Sequence, residues 1–411
     1  MTEKYDLVIV GGGIAGGGLA TVMARAGKRV LLLEKTAEFR DMVRGEWLAP
    51  WGVAEAKRTG LYDVLAGAND HHITYHVGYD GSASNEEAEA GRLKLEGMLP
   101  GIPGPLSLGH PHACQALVDA AVAAGASVVR NVSEVTVRTG ASPGVSYTTG
   151  GVTQTASCRL VVGADGRNSQ VRRQLGIELH EDTPHHLFAG LLVEGADDWP
   201  ADTQVIGTEG DVNYFVFPQG KGRLRLYLGY GFDQKTRFSG EDGSRRFLDV
   251  FRWEQIPHMT GVADARIAGP CHSVPNQSTW TDSPLAEEAV LIGDAAGFND
   301  PIIGQGLAIS MRDVRIVSDA LLATDDWSAS TLQPYAEERA ERMRRLRFAG
   351  SLASLLASEF GEEAQSRRTR FRLASAANRA LGMARIAAMV GPENLPAEAY
   401  SEQAWEAVAN V

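Results

Sequence analysis

The chain has 411 residues, which at about 150 residues per domain allows between two and three domains. It is 44% hydrophobic and 22% charged, the balance of an ordinary globular protein, which excludes wholly disordered, collagen-like and multi-span membrane chains. Against 39 Lys and Arg stand 51 Asp and Glu, and the resulting charge of −12 argues against a general electrostatic nucleic-acid binder. Cys114, Cys158 and Cys271 lie far apart without CxxC spacing, so they make neither a disulfide framework nor a zinc site, and they suit a reducing cytoplasm. Residues 7–24 carry no charge and are long enough to suggest a membrane span, but six of them are glycines, which would break a spanning helix. Residues 1–6 include acidic side chains, so no signal peptide is expected either.

The run YDLVIV at 5–10 reads as a strand buried on both faces. It ends in Gly11-Gly12-Gly13-Ile14-Ala15-Gly16, a GxGxxG pattern. A helical stretch to about Ala26 follows, Gly27 stops it, and 29–33 reads as a second buried strand. That strand finishes at Glu34, 23 residues after Gly11, close to the roughly 20 expected of a ribose-binding acid. The first glycine makes a tight turn, the second lets a pyrophosphate approach the backbone, and the third packs helix on strand. The helix N-terminus then offers free N–H groups and partial positive charge to the phosphates. These residues alone allow NAD, NADP or FAD, or a structural turn with Glu34 as a strand-end charge.

Further on, LVVGADGRNS at 160–169 is a strand running into a polar turn. Four strands follow, at 187–193, 204–207, 213–217 and 224–230, separated by Gly, Asp and Pro turns, and their order predicts an antiparallel sheet. AVLIGDAA at 289–296 is another buried strand ending in Gly293-Asp294. Pro301, Gly304, Gln305 and Gly306 precede an amphipathic helix whose apolar face carries Leu307, Met311, Val314, Val317 and Leu321. From Pro334 the pattern is helical and arginine-rich, with Arg339, Arg342, Arg344, Arg345 and Arg347 interleaved with glutamates. This predicts solvated helix faces bearing ion pairs.

Taken together, GGGIAG with Glu34, GADGRNS at 163–169 and GDAAGFNDPIIGQG at 293–306 resemble the three signatures of FAD-dependent monooxygenases of the para-hydroxybenzoate hydroxylase type, in order over nearly the whole chain. The resemblance implies an α/β fold with a Rossmann-like FAD-binding domain built from 1–70, 101–180 and 266–330. It adds an antiparallel β-sheet substrate domain from 71–100 and 181–265, and a C-terminal helical region over 331–411. It implies that FAD is held at Gly11, Gly13, Ile14, Ala15, Gly16, Glu34 and Lys35, with Arg44 near the phosphates. Asp165 belongs to a motif serving both FAD and NAD(P)H, and Asp294 would bind a ribityl hydroxyl. Pro301, Gly304, Gly306 and Leu307 would turn backbone N–H groups to the isoalloxazine.

The implied reaction uses NAD(P)H and O2 to hydroxylate an aromatic or polycyclic small molecule through a C4a-(hydro)peroxyflavin. The cofactor carries that chemistry, so no acid–base dyad is needed and no catalytic side chain is assigned. Trp47, Tyr214, Phe217 and Tyr227, with Trp51 and Tyr230, are candidates to line the substrate pocket. The histidines at 71, 72, 76, 185 and 186 lack completing ligands, and no metal is expected. The partners expected are the substrate and O2, with no nucleic acid and no membrane span. A homodimer and a separate flavin reductase are both compatible with this reading, and the location implied is cytoplasmic. No thioredoxin-like extension is expected.

The chain departs from the pattern where Gly297 replaces a frequent His and Leu307-Ala308 replace Met-Asn. With Asp300 these changes are similar to the geranylgeranyl reductase and halogenase branches, while the run 44–52 resembles squalene epoxidases. Alkene epoxidation, prenyl-chain reduction and a flavin-binding role without turnover are therefore the alternatives. The halogenase WxWxIP signature is absent, since WEQIP at 253–257 has the wrong spacing.

Overall fold

The structure, a computed structural model, describes residues 3–43 and 45–411, so the expectation for Arg44 lies outside the described residues. Its first layer grows from Leu7–Val10, every residue of which is buried. This strand pairs in parallel with Val30–Leu33 on one side and Leu160–Gly163 on the other. Ser127–Val129 and Ala289–Leu291 extend the parallel sheet outward, and Leu285–Ala286 closes one edge antiparallel. Parallel neighbours need a long crossover, and helix Ile14–Arg25 supplies the first. The chargeless run at 7–24 thus divides into strand, turn and helix. Among the described residues no helix is long and apolar enough to cross a membrane.

Helix Ile14–Arg25 begins with glycines that cost it helix propensity, about 1 kcal/mol each relative to alanine. Close packing offsets this. A Cβ on Gly17 would meet Leu117 of helix His110–Ala123 at 3.1 Å, and one on Gly18 would meet Leu61 and Val314 at 3.3 Å. Val314 belongs to helix Gly306–Ala323, so the two helices lie against each other.

The second layer is an antiparallel sheet containing His186–Glu194, Thr203–Glu209, Val212–Pro218 and Arg223–Gly231. The α/β architecture is the expected one, but the strand order is not sequential. The first of these strands pairs with the last, Leu187 opposite Tyr230, while Thr203–Glu209 adds a parallel neighbour, Tyr75–Tyr79. Side chains alternate between the faces of the sheet. Tyr214, Val216, Leu226, Leu228 and Tyr230 pack against Phe247 and Phe251 on one face. Phe188, Phe215 and Tyr227, with Phe217 beside them, gather against Ile302 on the other.

The C-terminal helix Ala329–Ala357 corrects one expectation. Arg344 and Arg345 pair with Glu341 at the surface, as solvated helix faces should. Arg339 and Arg342, however, are each only 3% exposed. Both reach Asp313 of helix Gly306–Ala323, at 3.2 and 2.7 Å. A buried carboxylate must be paired, and this one draws two guanidinium groups inward, so the helix is bolted to the first layer by charge as well as by packing.

Candidate functional site

Three turns converge on the carboxyl ends of the parallel strands. At the first, Gly11 has φ +105°, and a Cβ there would stand 2.3 Å from the Ala164 carbonyl oxygen. A Cβ on Gly16 would stand 1.8 Å from Gly11 O, so the helix can press onto its own loop only as glycine. At Gly13 the position of a Cβ meets nothing within 4 Å, which leaves room in front of the helix N-terminus where Ile14 and Ala15 begin.

Glu34 caps the next strand and is buried. Its Oε2 accepts from Gly12 N–H at 2.7 Å, and its Oε1 accepts from the backbone N–H and hydroxyl of Thr36 at 2.8 and 2.7 Å. These occupy three of the roughly four lone-pair positions of a carboxylate, so a preoriented acceptor is left over. Lys35 beside it is exposed.

The second turn carries Asp294. Gly293, at φ +59°, lies where a Cβ would meet the Ala15 Cβ at 3.0 Å and Ser310 Oγ at 3.4 Å. The Gly-Asp turn is thereby wedged between the first turns of both helices. The Asp294 side chain is 29% exposed, with Arg167 Nε 3.4 Å away. Arg339 shapes this turn from behind, donating to the carbonyls of Gly293, Ala296 and Gly297 at 2.9–3.0 Å. The third turn, Pro301–Ile303, leads through Gly304 at φ +65° into the N-terminus of helix Gly306–Ala323. A Cβ on Gly306 meets nothing within 4 Å, whereas the Leu307 side chain is buried in the core.

These observations fit FAD. Two long helices point open, glycine-cleared N-termini at the crevice, where their partial positive charge suits a pyrophosphate and an electron-rich ring edge. Glu34 and Asp294 offer acceptors beside them. Asp165, expected in a motif serving both FAD and NAD(P)H, also holds its own turn. It accepts from the Ser169 hydroxyl and from the backbone N–H groups of Gln170 and Val171, at 2.7 and 3.1 Å for the latter two. Those bonds brace the turn that leads into helix Gln170–Gln174, whose N-cap is Ser169, accepting from the Arg172 N–H at 2.9 Å.

The pocket side chains also sort themselves. Trp47 and Phe217 lie with ring centroids 6.2 Å apart, and Trp47 is 3.2 Å from the position of a Cβ on Gly304. Tyr227 stacks on Phe188 at 5.1 Å, and Phe188 meets Phe215 edge to face at 5.1 Å. Together they form an aromatic wall opposite the third turn. Tyr214 is a correction. It points to the other face of the sheet, is fully buried, and donates to the Tyr79 carbonyl at 2.9 Å. Strand parity puts it there, together with Tyr230. Trp51 is core as well, donating to Gln305 Oε1 at 2.7 Å.

Sequence reasoning missed a charged group beneath this wall. Arg225, on the same face as Tyr227, is buried and pairs with Glu46 and Asp41, while Gln219 Nε2 donates to Glu46 at 2.8 Å. Burial pushes the Glu46 carboxyl upward in pKa, and the Arg225 guanidinium works against that rise. Arg225 Nη1 has no hydrogen-bond partner among the described residues. An arginine alternating with leucines in RLRLYLGY was the available signal.

Comparisons with known proteins agree with an FAD-binding fold. The chain is 28% identical over 371 residues to a digeranylgeranylglycerophospholipid reductase of Methanoculleus marisnigri, covering 84% of each. It is 23% identical over 317 residues to the squalene monooxygenase of Mus musculus, covering 76% of this chain but only 54% of that protein. Among solved structures, p-nitrophenol 4-monooxygenase PnpA from Pseudomonas putida DLL-E4 superposes with a TM-score of 0.78 at 18% identity, covering 99% of each chain. These matches agree with an FAD-dependent oxidoreductase built on the aromatic-hydroxylase fold. The family model described as an FAD binding domain matches residues 4–348, and the chain belongs to that family.

Proposed function

We propose that the protein is a flavin-dependent monooxygenase that hydroxylates an aromatic or polycyclic small molecule. The observation that carries this reading is the aromatic wall of Phe188, Phe215, Phe217 and Tyr227 facing Trp47 and the Pro301–Ile303 turn. Flat apolar rings stack favourably on such a surface. When bound, FAD supplies the redox chemistry, accepting electrons from NAD(P)H and passing them to O2.

The chain's own residues bind, orient and exclude water. Glu34 accepts from a ribose hydroxyl, and Asp294 accepts from a ribityl hydroxyl. The N–H groups opening helix Gly306–Ala323 stabilise negative charge at the edge of the ring. The segments 1–70, 101–180 and 266–330 form the cofactor half and 71–100 with 181–265 the substrate half. The region 331–411 covers the pocket, bringing Ala353 and Ala357 against the wall and keeping it dry. NAD(P)H acts directly or through a separate flavin reductase.

A second reading, reduction or epoxidation of an isoprenoid-type alkene, draws on a specific observation. Ile206, Val274, Ile302 and Ile303 adjoin the same wall and give it an aliphatic side. The names of the reductase and squalene monooxygenase relatives support that reading too. The test is O2 uptake and NADH or NADPH oxidation by the FAD-loaded protein with phenolic, polycyclic and isoprenoid compounds. Substrate-stimulated O2 uptake with a hydroxylated aromatic product supports the first reading. Anaerobic saturation of an alkene, or an epoxide product, supports the second. No turnover with any donor leaves a flavin-binding role without catalysis.

A further inference from the structure

Just before the third turn lies a buried polar cluster that the reading above does not use. Asp300 is 7% exposed and His186 1%. His186 is on strand His186–Glu194, on the same face as Phe188, and its Nε2 is 3.7 Å from Asp300 Oδ1. The Asn276 side-chain amide, with Nδ2 2.9 Å from that same Nε2, donates to it, which puts the ring proton of the neutral imidazole on Nδ1. Asp300 Oδ1 accepts from the Ile302 N–H at 2.9 Å, inside the turn that faces the crevice. The Asp300 backbone is held from both sides: its N–H donates to Ser278 Oγ at 3.1 Å and its carbonyl accepts from Asn299 Nδ2 at 3.2 Å.

The cluster is rich in acceptors and short of protons. Asn276 Oδ1 and Asn299 Oδ1 are buried acceptors without partners among the described residues, while the His186 Nδ1–H is a buried donor without one. His186 Nε2, already accepting from Asn276, stands 3.7 Å from Asp300 Oδ1 without a hydrogen bond between them. Burial pushes the Asp300 carboxyl up to about 6, against the opposing pull of the Ile302 N–H, His185 and Arg167; Asp182 adds to the rise. The charged and titratable groups facing it are therefore His185 and His186, Asp182, and Arg167, whose guanidinium lies over the Phe298 ring at 4.2 Å. His186 is itself driven down to about 4 by burial and by His185, so it stays neutral beside the acid.

We propose that Asp300, backed by His186, takes up a proton from solvent when the flavin held at the Pro301–Gly306 turn is reduced, so that this pair couples protonation to the electron count of the ring. The proposal rests on the FAD reading of the site. Its physical basis is like-charge repulsion. Negative charge placed on the N–H groups of the turn shares them with Asp300, through Ile302, and a nearby like charge favours the neutral form of a buried carboxyl. Dithionite, oxidised to sulfite, gives two electrons to the ring, which takes one proton. A second proton forms an O–H bond on the Asp300 carboxylate, and no other bond changes. Asp300 is a positioning group for charge and is not assigned contact with substrate.

The test is the midpoint potential of bound FAD measured against pH, with dithionite as reductant, in the wild-type chain and in Asp300→Asn. Asparagine keeps an oxygen acceptor for the Ile302 N–H but cannot titrate. Above pH 6 the wild-type slope should correspond to two protons per two electrons, and the variant slope should be half of that. Circular dichroism verifies that the variant folds. His186→Gln is measured in parallel and should move the pH at which the wild-type slope changes. Bound flavin with identical slopes in wild type and both variants overturns the proposal while leaving the FAD reading intact. Failure of the wild-type chain to bind FAD overturns both.

Discussion

Replacing Arg339 by methionine tests how far the C-terminal helix shapes the cofactor turn. The arginine donates to three backbone carbonyls of the Gly293–Ala296 turn and its exit, and to Asp313. A buried carbonyl left unpaired costs about 1–3 kcal/mol, and stripping one partner from a buried ion pair costs about 3–5 kcal/mol. The losses do not simply sum. Ala296 O keeps the Thr281 hydroxyl at 3.2 Å, and Asp313 keeps Arg342 Nη2 at 2.7 Å and the Gly293 N–H at 2.8 Å. The expected destabilisation is therefore about 3–5 kcal/mol, read as a lower urea midpoint at unchanged m. The same carbonyls frame Asp294, so the FAD dissociation constant should rise at least about tenfold, or ~1.4 kcal/mol, in a fluorescence titration. An unaltered midpoint refutes the structural argument. A lowered midpoint with wild-type FAD affinity refutes the link between this helix and the cofactor turn.

Gly16→Ala should abolish FAD binding and reduce soluble yield, because its Cβ would sit 1.8 Å from Gly11 O; normal flavin content in the purified variant contradicts this. Tyr214→Phe should cost about 0.5–1.5 kcal/mol for one hydrogen bond and leave KM unchanged. Phe217→Ala should raise KM about tenfold, within the roughly 1–3 kcal/mol of a pocket contact; the reverse pattern would mean that the two faces of the sheet have been exchanged. Burial, aided by Arg385, drives the His76 imidazole from 6.5 down to about 4. The unfolded chain therefore binds that proton first, and stability falls as pH drops from 6.5 to 4. His76→Gln should flatten that limb of urea midpoint against pH, and an unflattened limb places the acid sensitivity elsewhere.

The turns proposed to hold the cofactor were legible because each is local in sequence. Gly11, Gly13 and Gly16 act within one turn, and Gly293-Asp294 and Gly304–Gly306 each act at one strand or helix end. The pocket was legible only in part. Both faces of the sheet are buried, so apolar patterning along NYFVF cannot say which of Tyr214 and Phe217 meets the crevice. Pairs distant in sequence were the least visible. Arg225 meets Glu46 across 179 positions, and Asp300 lies beside His186, whose strand pairs with the distant segment carrying Asn276. The buried Arg339 and Arg342 looked like their solvated neighbours, because their burial depends on Asp313, a residue on another helix.

The most direct measurement titrates FAD into the flavin-free chain and follows the visible absorbance and fluorescence of the ring, with Asp294→Ala alongside. One equivalent should bind the wild-type chain with a shifted spectrum, and the variant should release it on gel filtration. A chain that stays colourless with excess FAD, or a variant that retains one equivalent, would contradict the convergence of the three turns on this coenzyme.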